Sequence, residues 1–131
     1  PLRVIDVHGG IGLYDLGGTE ASKTGEWLGG IGRLLAAPRD ARVTALLAPY
    51  LEAVASVNDN GSTLRFYPGS PLLARKLLRR GDTLIANELH ADDFELLRAN
   101  LKGSPNTRVM NLDAWVALKS LLPPPERRGV V

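Results

Sequence analysis

Three acids stand at the carboxyl side of apolar, strand-like segments, and two of them, Glu88 and Asp113, could hold a hydroxyl or amine of a nucleoside-like ligand. Asp6 closes Leu2-Arg3-Val4-Ile5 and opens onto Val7-His8-Gly9-Gly10-Ile11-Gly12; Glu88 closes Leu84-Ile85-Ala86-Asn87; Asp113 follows Arg108-Val109-Met110-Asn111. A carboxylate can accept both hydroxyl hydrogens of a ribose, where an apolar residue would bury them unpaired. Glycines after a strand let the backbone come close to a ligand, since no Cβ intervenes. The P-loop is excluded, because no Lys-Ser or Lys-Thr follows at the required spacing. The strict Gly-x-Gly-x-x-Gly pattern fails too, because Gly10-Ile11-Gly12 runs into Leu13-Tyr14-Asp15. Asp113 has a second reading as the cap of the helix that follows, and Glu88 as a helix-capping or surface acid.

Arg65, Arg75, Lys76, Arg79 and Arg80 form a basic stretch with no Asp or Glu among them. It could meet phosphates or be the solvated face and favourable C-terminal charge of a helix. His90 reads as a cap or surface residue. Formal net charge is only +2, from 16 Lys and Arg against 14 Asp and Glu, and does not argue for nucleic acid by itself. The chain has no Cys and two His among 131 residues, which removes disulfides and thiolate metal sites and leaves no basis for a zinc centre. No apolar run approaches the roughly 18 residues of a membrane helix, and there is no signal-peptide pattern. No metal and no membrane partner is therefore expected.

The elements that must position these residues alternate. Leu2 to Val7 reads as a strand covered on both faces. A helix is expected over Ala21–Ala36, with Gly29, Gly30 and Gly32 inside it, each costing about 1 kcal/mol against Ala. A second helix fits Val43–Val57, containing Pro49. Asn58-Asp59-Asn60-Gly61 signals a turn, and Leu64–Tyr67 is extended. Ser70 is expected to cap a helix with Pro71 at its first position. Strands over Asp82–Glu88 and Thr107–Asn111 then alternate with helices over His90–Leu101 and Asp113–Leu121. A last strand starts near Gly129. This rhythm predicts an α/β fold with a parallel sheet.

A looser Gly-x-Gly after a strand acid is what S-adenosylmethionine-dependent methyltransferases show. More specifically, the chain resembles the bacterial 23S ribosomal RNA adenine-N6 methyltransferases, in their central portion. The resemblance rests on Asp6-Val7-His8-Gly9-Gly10-Ile11-Gly12-Leu13-Tyr14, on Thr24-Gly25-Glu26, on Tyr67-Pro68-Gly69-Ser70-Pro71, on Glu88-Leu89-His90 and on Leu122-Pro123-Pro124 through Arg127-Arg128-Gly129. It implies an incomplete Rossmann-like methyltransferase domain over 1–131, with a helical insertion over 20–66. It also implies S-adenosyl-L-methionine as cofactor, with contacts falling on His8, Ser70, Glu88, Asp113 and Ala114. Glu88 would hold the ribose hydroxyls, Asp113 would face the adenine, and His8 and Ser70 would line the methionine and sugar side. The family has Gly where this chain has Ala114; Ala is small, and the site is expected to persist.

The activity so implied is methyl transfer to the N6 amine of an adenine in 23S rRNA, protein-free or partly assembled, in the cytoplasm. The alternatives are a DNA adenine-N6 methyltransferase and a non-catalytic RNA-binding α/β module. The chain is expected to be part of a longer protein. The family's Asp-Pro-Pro-aromatic motif, which grips the target amine, would fall after Val131, so no residue of 1–131 is assigned a catalytic role.

Overall fold

β1 (Leu2–Asp6), β4 (Thr83–Asn87), β5 (Thr107–Met110) and β6 (Arg128–Val130) form a parallel sheet in the order β5-β4-β1-β6 in a computed structural model of the protein. The structure describes residues 1–59 and 63–131, with Glu20 by its backbone alone. Ile5 pairs with Ile85 and Asp6 with Ala86; Ala86 pairs in turn with Val109, and Asn87 with Met110. β6 lies on the other side of β1, with Val4 opposite Val130. The chain thus steps outward from β1 to β5 and then reverses. In doubly wound sheets that reversal marks where ligands bind, beyond the carboxyl ends of the strands.

Both faces of this sheet are covered, as the apolar strands require. On one face, Ile5, Ile85 and Met110 pack against Ala117 and Leu121 of α6 (Ala114–Leu121). On the other, Ala86 packs with Leu97 and Leu101, from α5 (Ala91–Asn100) and its end, together with Leu72 of α4 (Ser70–Leu77). These elements belong to one compact unit, residues 1–13 and 68–131. The Rossmann-like α/β architecture is the one expected.

The glycines after β1 serve this packing. Gly9 donates its N–H to the Asn87 carbonyl at 2.8 Å, and a Cβ there would lie 2.9 Å from Leu97 Cδ2 and 3.2 Å from Pro71 Cγ. Gly12 has φ +79°, and its Cβ would lie 2.9 Å from Leu97 Cδ1. Left-handed backbone costs an L-residue roughly 1–2 kcal/mol, and overpacking adds to it. Gly12→Ala is therefore expected to destabilise the full-length protein by about 2–4 kcal/mol. Thermal denaturation reads this directly, and an unchanged midpoint would refute it.

Residues 14–67 form a second compact unit. α1 (Thr19–Thr24) stops at Gly25, whose φ of 59° is left-handed. A π-helical stretch, Leu28–Gly32, is broken at Gly30 before α2 (Arg33–Ala36). The single helix expected over Ala21–Ala36 is thus three short pieces, because glycine adopts backbone conformations that interrupt a helix at little cost. α3 (Ala41–Ala55) starts on the Asp40 carboxylate, which accepts from Val43 N–H at 2.8 Å, and runs through Pro49.

Asn58 anchors the return of the chain. Its side chain donates to the Val54 and Phe66 carbonyls and accepts from the Arg65 and Phe66 N–H groups. Asn60 and Gly61 of the expected turn lie outside the described residues. β2 (Leu13–Asp15) pairs with β3 (Phe66–Pro68) in a two-stranded sheet. Arg65 ties this region together with a 3.2 Å ion pair to Asp15 and a position over the Phe66 ring. The Arg65 hydrogen bond, with the Gly17 N–H, holds the Asp15 carboxyl below its ordinary range.

Candidate binding site at the carboxyl ends of the strands

Two pockets open where β1 and β4 end. One, of about 360 Å³, is lined by Val7, His8, Glu88, Leu89, His90, Asp113, Ala114 and Trp115. The other, of about 280 Å³, is lined by the Val4–His8 segment with Ser70, Ala74 and Val131. Of the residues singled out in the sequence, Glu88, Asp113 and Ala114 meet in the first pocket and Ser70 lies in the second. His8, exposed, borders both.

Glu88 is buried, at 7% exposure. Its backbone is clamped on both sides: its N–H donates to the Met110 carbonyl, and its own carbonyl accepts from Asn111 Nδ2 at 2.7 Å. Its carboxylate accepts from Gly10 N–H through Oε2 and from His90 N–H through Oε1, each at 2.9 Å. Burial pushes this carboxyl up. These two N–H bonds, with the nearby Leu89 N–H and the His90 ring, outweigh that and hold it below its ordinary value. It is therefore a carboxylate at neutral pH. Each oxygen has one backbone partner and retains acceptor capacity.

Asp113 caps α6: Oδ1 accepts from Trp115 N–H at 2.9 Å and Val116 N–H at 3.2 Å. The other oxygen has no part in the cap. Ser70 departs from expectation. Gly69 holds the capping position of α4 with extended backbone, and Ser70 is the first helical residue. Proline's fixed φ at the next position allows this shift, since Pro fits anywhere in the first turn. The Ser70 side chain, exposed beside the second pocket, is not engaged as a cap.

One residue that positions the site went unnoticed in the sequence. Asn87, fully buried, donates from Nδ2 to the Val7 carbonyl at 3.2 Å and the Leu112 carbonyl at 2.9 Å, and accepts from Leu112 N–H at 3.0 Å. It ties the exits of β1 and β5 to β4, and so sets where His8 and Asp113 stand. Its partners are 80 and 25 residues away, and no local pattern could announce them.

The larger pocket holds two carboxylates and no Lys or Arg among its lining residues. Such a lining disfavours phosphates and suits a ligand that is uncharged or cationic and rich in hydrogen-bond donors. Its volume is in the range of small-molecule sites. S-adenosyl-L-methionine, a nucleoside bearing a positive sulfur, fits this lining. Among the described residues no group of His, Cys, Asp and Glu is placed to hold a metal ion, and no helix is long and apolar enough to cross a membrane.

A parallel sheet in the order β5-β4-β1-β6, with an acid-lined pocket beyond its carboxyl ends, is consistent with the Rossmann-like fold of the S-adenosylmethionine-dependent methyltransferase class. The chain belongs to the family described as Ribosomal RNA large subunit methyltransferase D, RlmJ, whose model matches residues 1–131. It is 42% identical over 131 residues to Ribosomal RNA large subunit methyltransferase J of Escherichia coli (strain K12), covering 100% of this chain and 45% of that protein. It is 40% identical over 130 residues to the protein of the same name from Haemophilus influenzae, covering 97% and 44%. A crystal structure of a protein from Legionella pneumophila superposes with a TM-score of 0.75 at 33% identity, over 98% of this chain and 46% of that one. The chain thus spans less than half the length of the relatives it matches.

Proposed function

We propose that the full protein transfers a methyl group from S-adenosyl-L-methionine to the N6 amine of an adenine in 23S rRNA, and that residues 1–131 build much of the cofactor pocket. The observation that carries this reading is the buried Glu88 carboxylate, ionised, held by two backbone N–H groups and facing a pocket free of Lys and Arg. Family membership supplies the reaction and the substrate class.

When bound, the cofactor supplies a methyl group on a positively charged sulfur, open to attack by an amine. Glu88 would accept hydrogen bonds from the two ribose hydroxyls and so fix the sugar. The Asp113 oxygen outside the cap would hold the adenine amino group, Ala114, with only a methyl side chain, would leave room beside it, and His8 and Ser70 would line the methionine side. Orientation of this kind is what a bimolecular methyl transfer needs most. The preferred RNA is protein-free or partly assembled 23S rRNA.

The test is tritium transfer from labelled S-adenosyl-L-methionine to 23S rRNA by the full-length protein, followed by nucleoside digestion. Label in N6-methyladenosine is expected. Label in another nucleoside, or in duplex DNA but not rRNA, would overturn the assignment.

Glu88 also sets a pH dependence. Its folded pKa is depressed, so its contribution is complete above the ordinary Glu value of about 4.3 and is lost as pH falls through the lower folded value. Cofactor affinity is expected to stay flat in this respect from about pH 6 to 8 and to fall only in acid. Calorimetric titration across that range checks it; a Glu88-dependent loss of affinity already near pH 6 would contradict it.

A further inference from the structure

The four parallel strands give this unit two chemically different ends. The carboxyl ends carry Glu88 and Asp113 in the pocket, and Asp6 at the end of β1. At the amino ends the charge is reversed. Lys76 lies in the last turn of α4, and Arg79 and Arg80 lie in the turn that leads into β4. Lys102 follows α5 on the way to β5, and Arg127 and Arg128 stand at the start of β6. All six are exposed.

The acids at this end are already engaged. Asp82 is buried; it accepts from Leu2 N–H at 2.8 Å and Arg79 N–H at 3.0 Å, and it also feels the Arg79 charge. Glu126 pairs with Arg3 at 2.7 Å. Two members of the basic stretch have structural roles and stand apart from the exposed set. Arg75 is buried and donates to the carbonyls of Pro105, Leu78 and Arg79. Arg65 pairs with Asp15. Helix C-terminal charge accounts for Lys76, but Arg79, Arg80, Lys102, Arg127 and Arg128 lie beyond any helix end.

These cations share the amino end of one sheet. Asn106 Nδ2 bonds the Arg80 carbonyl at 2.7 Å, joining the entrances of β4 and β5. β6 starts two strand positions away from β4, roughly 10 Å at the usual strand spacing. A five-residue strand places these cations about 17 Å from the pocket end, too far for the phosphates of the target nucleotide itself.

We infer that this basic end is a second RNA-docking surface, which binds backbone phosphates of the substrate RNA several nucleotides from the methylated adenine. The inference rests on the proposed rRNA substrate. It explains how a polyanion is retained by a domain whose ligand pocket is lined with carboxylates.

The test compares the full-length wild type with a quadruple variant, Lys76→Gln, Arg80→Gln, Lys102→Gln and Arg127→Gln, using a 23S rRNA fragment. Each lost phosphate contact should lower the slope of log affinity against log salt by about 0.7–0.9, so about 3 in all. RNA affinity near physiological salt should fall at least tenfold. KM for RNA should rise while kcat at saturating RNA and affinity for S-adenosylhomocysteine stay at the wild-type value, which shows that the variant is folded. Arg42→Gln, an exposed change in the other unit, should leave the slope unchanged. A wild-type salt slope and affinity in the quadruple variant, with the wild type methylating rRNA, would overturn the docking surface alone. A wild type that binds cofactor but neither binds nor methylates rRNA would overturn the proposed function, and the docking surface with it.

Discussion

Glu88→Ala in the full-length protein is expected to raise the Kd for S-adenosyl-L-methionine about 10- to 150-fold, or about 1.5–3 kcal/mol, the range for hydrogen bonds to a charged group. The loss has two sources. The ribose hydroxyls lose their acceptor, and the Gly10 and His90 N–H groups lose theirs, which loosens the turn after β1. Glu88→Gln separates these contributions. Its amide keeps one oxygen but turns an NH2 toward one of two backbone donors, so it should retain part of the affinity at most. Calorimetric titration of the three proteins decides it, and equal affinities would remove Glu88 from the site.

Asn87→Ala should damage the protein more broadly. It leaves the Val7 and Leu112 carbonyls and the Leu112 N–H without their partner in a fully buried position. At roughly 1–3 kcal/mol for each buried group left unsatisfied, with partial rescue by water, a destabilisation of about 2–5 kcal/mol follows. Asn87→Asp is the sharper variant. It keeps an acceptor for Leu112 N–H but sets a carboxylate against two carbonyl oxygens, so it should be at least as disruptive although its shape is nearly that of Asn. Urea denaturation reads both through the midpoint. Wild-type midpoints for both variants would show that Asn87 does not hold the strand exits together.

The parts of this architecture legible in the sequence were those with a strong local signature. Leu84-Ile85-Ala86 and Arg108-Val109-Met110 announced β4 and β5, because strands covered on both faces have little polar alternation. The acids after them marked the strand exits, and the residues from His8 to Ala114 named for the site line the two pockets there. What escaped depended on distant partners or on very short segments. β2 is three residues, Leu13-Tyr14-Asp15, which exist as a strand only because Phe66–Pro68 comes alongside. Asn87 looks like an ordinary polar residue at a strand end until the Val7 and Leu112 backbones are in place. The helix expected after Ala21 failed at Gly25 and Gly30, where several hydrophobic residues kept helical spacing although the backbone did not. The shift of the α4 cap from Ser70 to Gly69 has the same character: Gly and Ser both serve as caps, and composition does not choose between neighbours.

The most direct measurement is a crystal structure of the full-length protein with S-adenosylhomocysteine bound. If the carboxyl-end pocket is the cofactor site, both ribose hydroxyls will lie within about 2.5–3.0 Å of the Glu88 carboxylate. The adenine will then sit beside Asp113 and Ala114, and the amino-acid end will lie toward His8 and Ser70. A cofactor bound elsewhere, or in this pocket with its ribose turned away from Glu88, would contradict the assignment.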